Sequence, residues 1–164
     1  MISVPFAAAV GLVAAGCGGS SSHPNSSAST SSTAPSTTAA PPAPALSVGQ
    51  TSLGMILTDA QGRSVYLFEK DTGTASTCLD TCVAVWPPAT TTDAQPTVSG
   101  GANQSLVGTT MRPDGTRQLT YAGHPVYRYA GDQKPGDTTG EGLNSFGAGW
   151  DVLSPAGNKI EKGG

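Results

Sequence analysis

Apolar side chains are distributed along this chain in three ways. Val4 to Ala15 is an unbroken apolar run, Gly18 to about Ala45 is almost entirely Ser, Thr, Ala and Pro, and from Leu46 onward short apolar runs alternate with turn residues. The last pattern predicts strands at Ser64–Phe68, Arg117–Tyr121, Val126–Tyr129 and Trp150–Leu153, with a final one over Asn158–Ile160. Asp59–Gly62, Pro113–Gly115 and Pro155–Gly157 carry Asp, Pro and Gly where turns need them. Thr116–Tyr129, with Ala122–Pro125 in its middle, reads as a hairpin, and Ser52–Thr58 before the turn at Gly62 reads as its counterpart. One short helix is expected over Leu79–Trp86, ended by Pro87-Pro88. The fold class is therefore all-β: two pseudo-repeated antiparallel units forming a small sandwich or open barrel, preceded by a disordered tether.

The two units show in the sequence itself. Gly62-Arg-Ser-Val-Tyr66-Leu-Phe68-Glu-Lys-Asp71 recurs as Gly123-His-Pro-Val-Tyr127-Arg-Tyr129-Ala-Gly-Asp132, with the same offsets and an aromatic two residues after each Tyr. A long fixed-offset match of this kind points to duplication of one supersecondary unit. The repeats are placed at about 52–100 and 105–161, within a domain spanning 46–164.

Charge divides the chain at the same boundary. The eight Lys/Arg and eleven Asp/Glu all lie from Asp59 onward. The N-terminal apolar run is a dozen residues, short of the roughly 20 that cross a bilayer and of the length of a signal-peptide core. Ala14-Ala15-Gly16 before Cys17 resembles a bacterial lipoprotein signal, with residues 1–16 removed and Cys17 lipidated by palmitate-type acyl chains. Ala14 stands where Leu is usual, and no basic residue precedes the run. Residues 17–45 carry nothing to bury and read as a disordered linker with a span of about 30 Å. A net charge of −3 offers no basic face for nucleic acid. The expected location is extracytoplasmic, lipid-anchored to the cell membrane, with an envelope protein or cell-wall component as a possible partner.

Met55 to Ile160 resembles a family of secreted or lipoprotein repeats defined by a Y-x-(F/W/Y)-x-x-D motif. The resemblance rests on both motif copies, Cys78 to Trp86-Pro87-Pro88, Arg112-Pro-Asp-Gly115, and Gly136-Asp137 followed by Gly140-Glu-Gly142. It implies an extracytoplasmic β module with no assigned catalytic residues.

Candidate chemistry is sparse. In a strand Tyr66 and Phe68 share a face, as do Tyr127 and Tyr129. With Asp71 and Asp132 at the strand ends, they either build the core, hydroxyls on backbone and carboxylates pinning loops, or form two ligand pockets. Cys78 and Cys82, four apart, suit a local disulfide in an oxidising compartment. Reduced, the pair would be a soft two-thiolate site for Cu(I) or Zn, with His124, Met55 and Met111 as further ligands, or a redox dithiol. His124 reads as a solvent-facing turn residue. Asp132, Asp137 and Glu141 among glycines could offer oxygens to Ca²⁺ but lack EF-hand spacing. No G-x-S-x-G, H-E-x-x-H or phosphate loop occurs. The expected function is thus a non-enzymatic binding or structural module of the envelope with no cofactor and no metal, and the alternative is a redox or copper-handling lipoprotein using Cys78 and Cys82.

Overall fold

Each half of the domain begins with a hairpin and turns straight back on it. In the first, β1 (Leu46–Thr51) pairs antiparallel with β2 (Gly54–Asp59), Leu46 opposite Asp59; Thr58 then bridges Ser64, ahead of β3 (Tyr66–Phe68). In the second, β4 (Val107–Met111) pairs with β5 (Arg117–Tyr121), Val107 opposite Tyr121, and β5 pairs at once with β6 (His124–Pro125). The computed structural model describes residues 43–161. Cys17, the apolar run and the Ser/Thr tether up to residue 42 fall outside them.

The remaining strands build one further sheet around β8 (Ala148–Leu153). It pairs with β3 on one side, and with β7 (Leu143–Ser145) and β9 (Lys159–Ile160) on the other. All pairings within the sheets are antiparallel and no sheet closes into a barrel. The chain is all-β, as its turn spacing indicates. The β7–β8 turn is Phe146-Gly147, both at positive φ (58° and 94°), the geometry a two-residue hairpin demands.

Three expectations are corrected. The helix is one turn, α1 (Cys82–Val85), shorter than Leu79–Trp86. Val126–Tyr129 is not a regular strand: Arg128 N donates to Pro87 O (2.8 Å) and Ala130 N to Val85 O (2.9 Å), but prolines 87 and 88 return no N–H, so no ladder forms. β1, β4 and β7 were not foreseen, because their Gly, Thr, Ser and Asn content hides half-buried strands.

Strand β3 separates two cores. Val65 and Leu67 face Leu46, Leu57, Leu119, Val126 and Leu153, while Tyr66 and Phe68 face Ile56, Trp86, Tyr127, Trp150 and the Cys78–Cys82 pair. Alternation along a strand buried on both sides therefore sorts aliphatic from aromatic. Gly140 lies against the aromatic core, where an added Cβ would stand 2.9–3.0 Å from the rings of Trp86, Tyr129 and Tyr66. Gly140→Ala is expected to cost about 1–3 kcal/mol by overpacking, read as a lower denaturation midpoint in urea; an unchanged midpoint would show that these rings do not close on the glycine.

Candidate functional site

The two motif copies meet at the centre of the domain. Tyr66 N donates to Tyr127 O and Tyr127 N to Tyr66 O, both at 2.9 Å, a reciprocal pair joining the repeats backbone to backbone. Their side chains then cross over. Tyr66 Oη donates to Asp132 Oδ2 (2.5 Å) and Tyr127 Oη to Asp71 Oδ2 (2.5 Å), so each Tyr serves the other copy's Asp. The second oxygen of each Asp holds its own loop: Asp71 Oδ1 accepts from Thr77 N and Oγ1 (2.7 and 2.6 Å), Asp132 Oδ1 from Thr139 N and Oγ1 (2.9 and 2.6 Å). As core residues, the two tyrosines' hydroxyls have the backbone as expected partner. They lie instead on carboxylates of the opposite repeat, with Gly140 N donating to Tyr66 Oη at 3.3 Å. Hydrogen bonds to an ionised acceptor, buried as here, are about twice as strong as neutral ones.

The aromatic rings follow the same exchange. Phe68 stacks on Trp150 (4.1 Å), Trp150 on Trp86 (3.9 Å) and Trp86 on Tyr129 (4.5 Å). Edge contacts Tyr66–Trp86 (5.3 Å) and Tyr127–Trp150 (5.2 Å) complete a pseudo-twofold cluster. Tyr129 alone among the six motif side chains is half-buried rather than buried.

Cys78 and Cys82 form a disulfide with Cα atoms 5.3 Å apart, both sulfurs' residues buried. Beside it lies a buried cation that the sequence did not single out. Arg112 donates through Nη1 to Ser76 Oγ (2.8 Å) and Gln118 Oε1 (2.7 Å), and through Nη2 to Cys78 O (2.8 Å). Tyr127 Oη also accepts from Ser76 Oγ (2.7 Å), so the bridge, the motif and the β4–β5 turn share one polar network. Met55 and Met111 are exposed, and no cluster of three or more metal-ligating His, Cys, Asp or Glu occurs among the described residues. The acidic turn is committed internally: Asp137 Oδ2 accepts from Gln133 N and Lys134 N, and Glu141 Oε2 from Val152 N.

Surface grooves lie to either side of the motif, at corresponding places in the two copies. One, of about 330 Å³, is lined by Arg63, Pro87, Arg128, Tyr129, Asp132 and Gln133. The other, of about 420 Å³, is lined by Leu67, Glu69, His124, Asn158 and Lys159. By the 61-residue offset Arg63 corresponds to His124, Arg128 to Leu67 and Ala130 to Glu69. His124 is half-buried in β6 rather than solvent-facing, and its Nδ1 has no hydrogen-bond partner among the described residues. Glu69 accepts from Lys159 Nζ (2.8 Å) and Gly149 N (3.2 Å); a Cβ on Gly149 would come within 2.5 Å of its Oε2. The Lys159 ammonium holds the Glu69 carboxyl below its usual range. Asp151, buried diagonally across the β3–β8 pair, is pushed up, first by burial and then by the Glu69 charge.

A family model described as a secreted repeat of unknown function matches residues 47–90 and 108–154. The chain belongs to that family. No curated protein and no solved structure matches it. The family makes this an extracytoplasmic protein. Each matched stretch supplies one of the two crossing tyrosines and one stacking Trp, and each secreted repeat contributes one of the two exchanged Asp.

Two pH dependences follow for the secreted repeat. Burial first, and the bonded Asp second, raise both Tyr66 and Tyr127 far above the ordinary phenol range. The neutral hydroxyl is the form the fold holds, so its contribution is intact below the unfolded tyrosine pKa of about 10 and is lost as pH climbs beyond it. Alkaline titration should show part of the tyrosinate absorbance appearing only together with loss of near-UV dichroism above about pH 10. Smooth ionisation of all four tyrosines within the folded protein would contradict the exchange. For Asp151 the raised folded pKa means the protonated form is favoured below the unfolded value of about 3.9, and that advantage disappears as pH rises. Asp151→Asn is therefore expected to raise the melting temperature at pH 7 and to lose its advantage at pH 3.

Proposed function

We propose that this secreted repeat protein is a lipid-anchored, non-catalytic binding module of the cell envelope, attached through Cys17 and held off the membrane by the Ser/Thr/Pro-rich linker. One observation carries the reading. The side chains that recur between the copies are spent on each other inside the domain, whereas the surface grooves, Asp132 apart, are lined mostly by side chains that differ between the copies. Recurring chemistry builds the scaffold; differing chemistry is where a ligand is distinguished. The motif is accordingly read as a structural device, and the envelope component as a ligand of the grooves.

The buried disulfide weighs against the copper or dithiol alternative. Cys78 and Cys82 are at most 4% exposed, and a sulfur held in a bridge is neither a thiolate ligand nor a ready nucleophile. The test is the mass of the protein isolated from its own membrane fraction without reductant or metal. A diacylglyceryl-type adduct at Cys17 with two hydrogens missing at the Cys pair is expected. Unmodified Cys17, or metal carried on free thiols, would overturn the reading. In the Cys78→Ser/Cys82→Ser double variant the loss should be about 2 kcal/mol, the value for closing so short a loop, with envelope binding unchanged.

A further inference from the structure

The two copies differ at the outer edge of their first hairpin. In the first copy Pro88 bridges Tyr127 antiparallel, and the chain beyond it crosses to β1. There Ala45 N donates to Thr97 O, Ser99 N donates to Leu46 O, and Val98 bridges Leu46 in parallel. Gly100 sits so close that an added Cβ would stand 2.6 Å from Ser47 Oγ. In the second copy Val152 pairs with Tyr66 as Pro88 does with Tyr127. The chain beyond it, however, turns at Pro155–Gly157 and returns onto β8 as β9. The edge of β4 that corresponds to the covered edge of β1 is therefore left open.

The pairing with β5 says which groups are free. Leu106 O accepts from Ala122 N, and Arg112 N donates to Thr116 O, both at 2.9 Å. In an antiparallel ladder every second residue bonds the partner strand, so Gly108 and Thr110 join these two in facing β5. The N–H and C=O groups of Val107, Thr109 and Met111 point outward, and among the described residues no hydrogen bond reaches them. Sheet edges are commonly protected by a Lys, a Pro or a bulge. Val-Gly-Thr-Thr-Met has neither residue, and its register with β5 is unbroken. Val107 packs on the aliphatic core, and alternation carries Thr109 and Met111 along the same face. Met111 is 59% exposed, the most exposed large apolar side chain among the described residues.

We infer that β4 is a self-association edge: the β4 strands of two copies of this protein pair antiparallel about a twofold axis at Thr109. Identical strands paired in this way are self-complementary, each outward N–H meeting an outward C=O of the other copy. Thr109 then lies opposite Thr109 of the second copy, a favourable cross-strand pair. Met111 lies opposite Val107 of the second copy, so the exposed thioether gains an apolar neighbour. Arg112 comes opposite Leu106 and Asp114 opposite Gln104; residues 101–106 carry no charge, so no like charges meet. An unrelated peptide would find no charge at this edge to recognise, whereas a second copy brings the complement of Met111. The contact is one five-residue strand, well below about 1,000 Å², so the dimer is transient. The inference goes beyond the binding-module reading and uses neither the anchor nor the grooves.

The test follows amide hydrogen exchange in the full-length chain carrying Cys17→Ser, which prevents acylation, with the Cys78–Cys82 bridge formed. As concentration is raised to about 1 mM, exchange at Val107, Thr109 and Met111 should slow about fivefold for a dissociation constant of about 0.1 mM. Gly108 and Thr110, already bonded to β5, should be protected at every concentration. Thr109→Lys and Thr109→Glu each place like charges directly opposite at the twofold, so either variant alone should lose the concentration dependence. An equimolar mixture of the two should regain it at Val107 and Met111, an outcome only pairing of residue 109 with itself produces. A mixture that behaves like either variant alone would overturn the inference. So would a wild type without concentration dependence, or association that protects other amides and leaves β4 unchanged. Should either variant melt early, the wild-type series decides alone.

Discussion

The domain depends on an exchange: a buried tyrosine from each repeat ends on the buried aspartate of the other. A carboxylate taken out of water needs several donors, and the loop threonine that follows each Asp supplies only two. The third comes from across the pseudo-twofold. Around that crossing everything else is arranged, from the reciprocal Tyr66–Tyr127 backbone pair to the four-ring stack whose members alternate between the repeats. Because hydrogen-bond geometry is far stricter than apolar contact, the exchange also fixes the register in which two otherwise similar β units face each other.

Much of this architecture was legible in the chain, and the missing part has a definite cause. The repeat, its strand-turn alternation and the spacing of the Cys pair are read from the chain, and side-chain alternation puts each pair of motif aromatics on one face without saying whether that face is core or pocket. What spacing cannot give is partnership. Tyr66 and Asp71 are five residues apart, as are Tyr127 and Asp132, and nothing local states that each Tyr passes over its own Asp for the other. Buried Arg112 and Gln118 escaped for the same reason, since their partners Cys78 and Val126 come from other elements. β4, reading Val-Gly-Thr-Thr-Met, looked like a loop because its partners, and not its composition, make it a strand. The grooves were least legible of all. Arg63 and Arg128 carry no motif, and His124 was read from its turn rather than from the β5 strand it closes on.

Duplication followed by divergence leaves a readable division of labour. Positions that enter the exchange are the same in both copies or change only from Phe68 to Tyr129. Positions one step outward change in charge: Leu67 and Arg128, Glu69 and Ala130, Asp59 and Tyr121. One groove consequently carries two arginines beside Asp132, while its counterpart holds Glu69 and Lys159. A scaffold whose stability is concentrated along its axis can accept such changes at its rim, since surface substitutions away from networks cost little.

The crossing has one more consequence, for the way the molecule comes apart. Neither repeat contains the carboxylate that its own buried phenol bonds, so the crossing forms only where both repeats are present. A nick anywhere between Pro88 and Val107 would leave two fragments, each with an unsatisfied carboxylate and half an aromatic stack. Each would regain order only by finding the other, as strands of a heterodimer do. The covalent link between the repeats therefore sets the local concentration at which two complementary halves meet.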